Sequence, residues 1–108
     1  MEIIKQNRDF LRIFHKGKSA PASTLVAYSL RSRYEGRFAV VAGKKVGGAV
    51  QRNRAKRLLR AAFREILKEN QIKRKTDFIF VARSGIHLKK MCRVKEDMLK
   101  CLKKLEVI

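Results

Sequence analysis

The sequence predicts an α+β domain in which helices pack on a small mixed β-sheet. Three observations carry that prediction. Apolar residues alternate with a two-residue period over 23–30 and 37–42, they recur at helical spacing over 55–66 and 94–105, and residues 77–83 between the helical stretches are apolar on both faces. With 108 residues the chain has the size of one domain, since a second would lack the residues for its own core. Residues 1–108 therefore read as a single unit.

The elements follow in order. Asn7 is placed to cap a short helix that carries Phe10, Ile13 and Phe14 on one stripe. Asp9 lies toward its positive end, Lys16 toward its negative end, and Gly17 is the expected stop. After Pro21, the lone proline, residues 23–30 (STLVAYSL) are rich in strand formers, with Thr24, Val26, Tyr28 and Leu30 sharing one face. Residues 31–36 (RSRYEG) are polar enough to turn the chain. In the strand 37–42, Phe38 and Val40 then oppose Ala39 and Val41. The two strands are expected to pair as a hairpin. A helix over about 49–70, a basic loop 72–75 (IKRK) and the strand 77–83 complete a strand–helix–strand unit, which implies a parallel crossover in a covered sheet. A last helix places Val94, Met98, Cys101, Leu102 and Leu105 at helical spacing, with Lys95, Lys100, Lys103 and Lys104 mostly elsewhere on its surface.

Composition narrows the function. Hydrophobic residues make up 45% of the chain, too many for a disordered basic tail, yet 28 Lys and Arg against 9 Asp and Glu leave a formal charge of +19. So positive a surface repels itself and points to a polyanionic partner, because each neutralised phosphate also releases condensed counterions. Nucleic acid comes first and an anionic membrane second. No apolar run approaches the roughly 18 residues of a spanning helix, and the N-terminal MEIIKQNRDF lacks the apolar block of a signal peptide, so a cytoplasmic protein is expected. Cys92 and Cys101 have no CxxC spacing and no neighbouring His. They read as reduced thiols rather than as a disulfide or a zinc site.

The informative stretch is 43–65. Lys44, Lys45, Arg52, Arg54, Lys56, Arg57, Arg60 and Arg64 follow one another with no acid before Glu65. At about 100° per residue, Ala55, Leu58, Leu59, Ala62, Phe63 and Ile66 form the core-facing stripe, while Asn53, Arg57, Arg60 and Arg64 line the opposite side. The guanidinium fork binds two phosphate oxygens at once and stacks on bases, which lysine does not do. Arg52 projects nearer the buried side and reaches a ligand only from the helix end. Arg52 and Arg54 occupy the first turn, where the helix dipole disfavours cations by about 0.3–1 kcal/mol each, and a bound polyanion would reverse that cost. Gly43, Gly47 and Gly48 leave the helix N–H groups approachable. A merely solvated charged face is the plain alternative; the lack of compensating acids and the preference for Arg weigh against it.

Residues 43–60, GKKVGGAVQRNRAKRLLR, resemble the signature of the bacterial ribonuclease P protein family, whose hallmark is the Arg-Asn-Arg triplet opening this helix. The resemblance extends to RDFLRIFHKG near the N-terminus and to residues 77–83. It implies a ribosomal-protein-S5-like two-layer fold whose βαβ crossover is left-handed, against the usual right-handed rule. It implies an RNA subunit and precursor tRNA as partners, with no membrane and no small-molecule substrate. Lys45, Arg52, Asn53, Arg54, Lys56, Arg57 and Arg60 would face RNA, and a cleft of Phe10, Phe14, Val26 and Tyr28 would take the 5′ leader. Core packing is the competing reading for those aromatics, and stacking of unpaired bases the functional one. Where the family often has Ser and Asn, Gly43 and Gly48 leave only backbone contacts.

No catalytic residue and no metal site is expected in the chain itself. The nine acids are scattered, adjacent Glu96 and Asp97 point about 100° apart on a helix, and His15 and His87 are isolated. The resemblance assigns hydrolysis to the RNA subunit, with Mg2+ in the holoenzyme and no cofactor on the protein alone. The alternatives are a ribosomal or other structural RNA-binding protein, a stand-alone metal nuclease, and a membrane-surface binder.

Overall fold

A computed structural model of the chain describes residues 1–73 and 75–108; Arg74, in the expected basic loop, lies outside the described residues. Among them the order is β1 (Glu2–Ile3), α1 (Asn7–Lys16), β2 (Lys18–Pro21), β3 (Leu25–Arg31), β4 (Arg37–Val41), α2 (Ala49–Glu69), β5 (Thr76–Ala82) and α3 (Met91–Lys104). Short 3-10 turns, Lys44–Val46 and Ile86–Leu88, precede α2 and α3.

The strands form one mixed sheet in the order β1-β4-β5-β3-β2. β4 and β5 are parallel neighbours joined through α2, so the strand–helix–strand unit is present. The expected hairpin is not. β5 inserts between β3 and β4, antiparallel to the first and parallel to the second. The reason lies in β5 itself: TDFIFVA has no polar face to turn to water, so it is most stable at the centre of a sheet covered on both sides. The polar stretch 31–36 therefore spans the place of a whole strand. β1 and β2, absent from the periodicity reading, supply the edges, and Pro21 ends edge strand β2, where its missing N–H costs no ladder bond.

The two-residue period of the strands sorts the core into two faces. Leu25, Ala27, Phe38, Phe78 and Phe80 point to α2 and α3, while Ala39, Ile79, Val41, Val81, Tyr28 and Leu30 point to α1. Phe63 of α2 is fully buried, with ring centroids 5.0 Å from Phe38, 5.6 Å from Phe78 and 4.8 Å from Phe80. The predicted stripe is buried as phased: Ala55, Leu59, Ala62, Phe63 and Ile66 fully, Leu58 in part. On α3, Val94, Met98, Cys101 and Leu102 are fully buried and Leu105 nearly so.

The ends of α1 differ from expectation. The cap position is Gln6, with Asn7 the first helical residue and no side-chain cap bond. Gly17 does close the helix, but its φ of −76° is open to any residue. Space decides there instead, because a Cβ would lie 2.5 Å from the Ile13 carbonyl oxygen and 2.6 Å from that of Ser29. The helix end thus lies directly against β3.

Candidate nucleic-acid interface

The interface begins where β4 ends. The turn Lys44–Val46 buries Val46 and leaves Lys44 and Lys45 exposed, and Gly48 opens α2 with no side-chain cap and no acid in the first turn. Asn53, Arg54, Arg57 and Arg64 are exposed, whereas Arg52, Lys56 and Arg60 are half-buried along the flanks of the helix. Arg52 thus lies toward the packed side, as its phase requires. Arg60 is the member of the outward row that is partly covered.

Two groups that periodicity could not find fix this surface from the β5–α3 connection. The Ser84 hydroxyl donates to the Lys45 carbonyl at 2.9 Å, and Arg54 Nε donates to the His87 carbonyl at 2.8 Å. The second bond offsets the unfavourable place of Arg54 at the positive helix end and leaves both its terminal nitrogens for a ligand. Gly85, in the left-handed region at φ 86°, makes the turn that leads into Ile86–Leu88 and the His87 carbonyl. His87 is half-buried with Nδ1 lacking a partner among the described residues; His15 is exposed.

Five of the nine acids, Asp9, Glu65, Glu69, Asp77 and Asp97, are paired with cations elsewhere. Asp77, fully buried at the start of β5, accepts the Arg37 N–H at 2.9 Å and lies 3.5 Å from the Arg12 and Arg37 guanidinium groups, which also flank Asp9. Burial alone would lower the Arg37 pKa, but the bond to Asp9 and the charges of Asp77 and Asp9 outweigh it and hold the group above its ordinary value. Glu69 and Glu65 bind Lys95 of α3, and the Glu69 bond holds that ammonium above its usual range as well. Asp97 takes Arg93. Among the described residues none of the eight cations from Lys44 to Arg64 has an acid within 4.0 Å. Their charge is left for an outside partner.

On the other sheet face α1 packs on β3 through a cluster of aromatic side chains. Phe14 stands edge-on to Tyr28 with centroids 4.8 Å apart at 89°, and Phe10 lies 6.5 Å from Phe14. Phe10, Tyr28 and Val26 are half-buried and Phe14 is 39% exposed; the three rings form one cluster, and Val26 lies two residues before Tyr28 on β3, hence on the same sheet face. The rings serve the small second core and still offer faces for stacking.

An α+β scaffold with an arginine helix that carries no acid before Glu65 on one side and a partly exposed aromatic cluster on the other defines a nucleic-acid-binding protein. Comparison with known proteins specifies which. The family model for ribonuclease P matches residues 1–106. The ribonuclease P protein component of Pelotomaculum thermopropionicum is 35% identical over 108 residues, covering 99% of this chain and 95% of that one. That of Syntrophomonas wolfei is 36% identical over 102 residues, covering 94% and 84%. Among solved structures, the RNase P protein of Staphylococcus aureus superposes with a TM-score of 0.84 at 29% identity, covering 99% of this chain and 97% of that chain. That of Thermotoga maritima gives 0.81 at 28% identity, covering 96% and 97%. The chain belongs to the ribonuclease P protein family, and a match along nearly its whole length disfavours the ribosomal alternative.

Proposed function

We propose that the chain is the protein subunit of a ribonuclease P ribonucleoprotein, binding the RNA subunit through the face from Lys44 to Arg64 and the 5′ leader of precursor tRNA through the cleft of Phe10, Phe14, Val26 and Tyr28. As a component of this endoribonuclease it serves in tRNA 5′ maturation. The observation that carries the reading is the unpaired cationic face of α2 within a chain that matches the family over residues 1–106. The protein screens phosphate charge between two RNAs and holds the leader. Hydrolysis belongs to the RNA subunit on this reading, with Mg2+ expected in the holoenzyme; the described residues contain no group of three or more His, Cys, Asp or Glu placed to hold a metal ion. No described helix is long and apolar enough to cross a membrane.

Reconstitution tests this directly. At low magnesium the protein is expected to restore 5′ processing by the RNA subunit, and the protein alone to cleave nothing. Arg57→Ala is expected to flatten the dependence of log affinity for the RNA subunit on log salt by about 0.7–0.9, worth about threefold in relative affinity across a fourfold salt change. An unchanged slope would remove Arg57 from the interface. Copurified RNA that proved to be ribosomal would overturn the assignment of partner.

A further inference from the structure

Beyond the C-terminal end of α2 lies a second concentration of positive charge. Lys16 from the end of α1, Lys18 from β2, Arg31 from the end of β3, and Lys73 and Lys75 from the segment before β5 line one hollow of about 670 Å³. They come from three stretches of chain, 16–18, 31 and 73–75, that only the tertiary fold brings together. All five are exposed, and among the described residues none has an acid within 4.0 Å. Lys16 has a local reason to be there, since it complements the negative end of α1. The other four have none. Leu30, Leu105 and Val107 supply apolar wall, and Glu106 is the acid among the described lining residues.

The hollow is built rather than incidental. Ser32 N–H donates to the Lys75 carbonyl at 2.8 Å and Lys73 N–H to the Val107 carbonyl at 3.1 Å, so the backbones carrying these cations are tied to β3 and to the C-terminal segment. Glu106 holds the left-handed conformation at φ 59° that closes α3, with the Val107 N–H reaching back to the Leu102 carbonyl at 3.2 Å. Gathering five cations without neutralising them costs self-repulsion, and a polyanion removes that cost.

We propose that this hollow is a second RNA-backbone site, which engages phosphates of an RNA that extends past the arginine face of α2. The inference rests on the RNA-binding reading above. α2 has 21 residues, so at about 1.5 Å per residue the hollow lies on the order of 30 Å from the helix opening. A small anion bound at one site does not reach the other, whereas a folded RNA does. The chain then grips RNA at both ends of its longest helix, and the cations of the hollow set part of the salt dependence of assembly.

The experiment compares the full chain with two variants in two arms, binding to the transcribed RNA subunit and binding of precursor tRNA by the assembled holoenzyme. In Lys18→Gln/Arg31→Gln/Lys75→Gln the log–log salt slope is expected to flatten by about 2–3, three contacts at roughly 0.7–0.9 each, in whichever arm contains the RNA that fills the hollow. Glu106→Gln is expected to act with the opposite sign and tighten binding in the same arm, an outcome that misfolding cannot imitate. In parallel, Lys18, Lys73 and Lys75 are expected to be protected from acylation by bound RNA, while exposed Lys100 on α3 reacts at an unchanged rate. Wild-type slopes for both variants in both arms, or flattening without protection of those lysines, overturn the inference. The Arg57→Ala variant separates the two readings. If it flattens the slope while the hollow variants do not, the second site fails alone; if it too is silent, the α2 reading fails.

Discussion

Replacing Asp97 with Asn tests the scaffold that presents both faces. The Asp97 carboxylate, 2% exposed on α3, receives the Ser23 hydroxyl at 3.0 Å, the Thr24 N–H at 3.1 Å and the Thr24 hydroxyl at 2.6 Å, with Arg93 Nε 3.5 Å from its other oxygen. These bonds pin α3 to the turn between β2 and β3. Asn retains one acceptor but loses the charge, and charge-assisted bonds are about twice as strong as neutral ones. Three donors each losing roughly 1 kcal/mol, less what the amide oxygen recovers, give a destabilisation of about 2–3 kcal/mol. In a domain of this size that lowers the melting temperature by about 10 °C or more. Burial alone would raise the Asp97 pKa, but the bonds from Thr24 and Ser23, with Arg93 alongside, outweigh it and hold the group below the usual carboxylate range. The proton therefore binds the unfolded chain more tightly. The stabilisation is complete above the unfolded value of about 3.9 and is lost as pH falls through the lower folded value. Urea unfolding of both proteins at a series of pH values should show a constant gap from about pH 5 to 8 that narrows below about pH 4. A gap under about 0.5 kcal/mol at pH 7, or one that persists unchanged to pH 3, would refute the assignment, because only a charged, hydrogen-bonded carboxylate produces both features.

Two further outcomes follow from packing. Gly17→Ala forces a methyl carbon against the Ile13 and Ser29 carbonyl oxygens and is expected to cost about 1–3 kcal/mol, read as a lower urea midpoint; a neutral or stabilising effect would show that α1 does not end against β3. A thiol reagent is expected to label exposed Cys92 in the native protein and Cys101 only on unfolding, since Cys101 is fully buried and burial pushes its thiol pKa up. Equal native labelling of both would contradict the packing of α3.

Much of this protein was legible in the sequence, and the legible parts share a cause. Helical and strand periods are local, so the buried stripe of α2, the face of α3 and the apolar character of β5 could be read without a structure, and so could the acid-free run from Lys44 to Arg64. Sequence could also say that Arg52 leans inward, because phase on a helix is a local quantity. Strand pairing is not local. The hairpin expected from two adjacent strands gave way because β5, with no face to spare for water, took the central place between them. Edge strands as short as Glu2–Ile3 carry too few residues to show a period at all. The same limit applies to function. The arginine helix announces itself in one segment, but the carbonyl of His87 and the hydroxyl of Ser84 that steady it lie more than 30 positions away, and the cations of the hollow come from three separate stretches. Sequence alone determined that this chain folds around an arginine helix made for a polyanion. Only tertiary structure decided what braces that helix and where the remaining charge collects, because those depend on distances between residues that no local period relates.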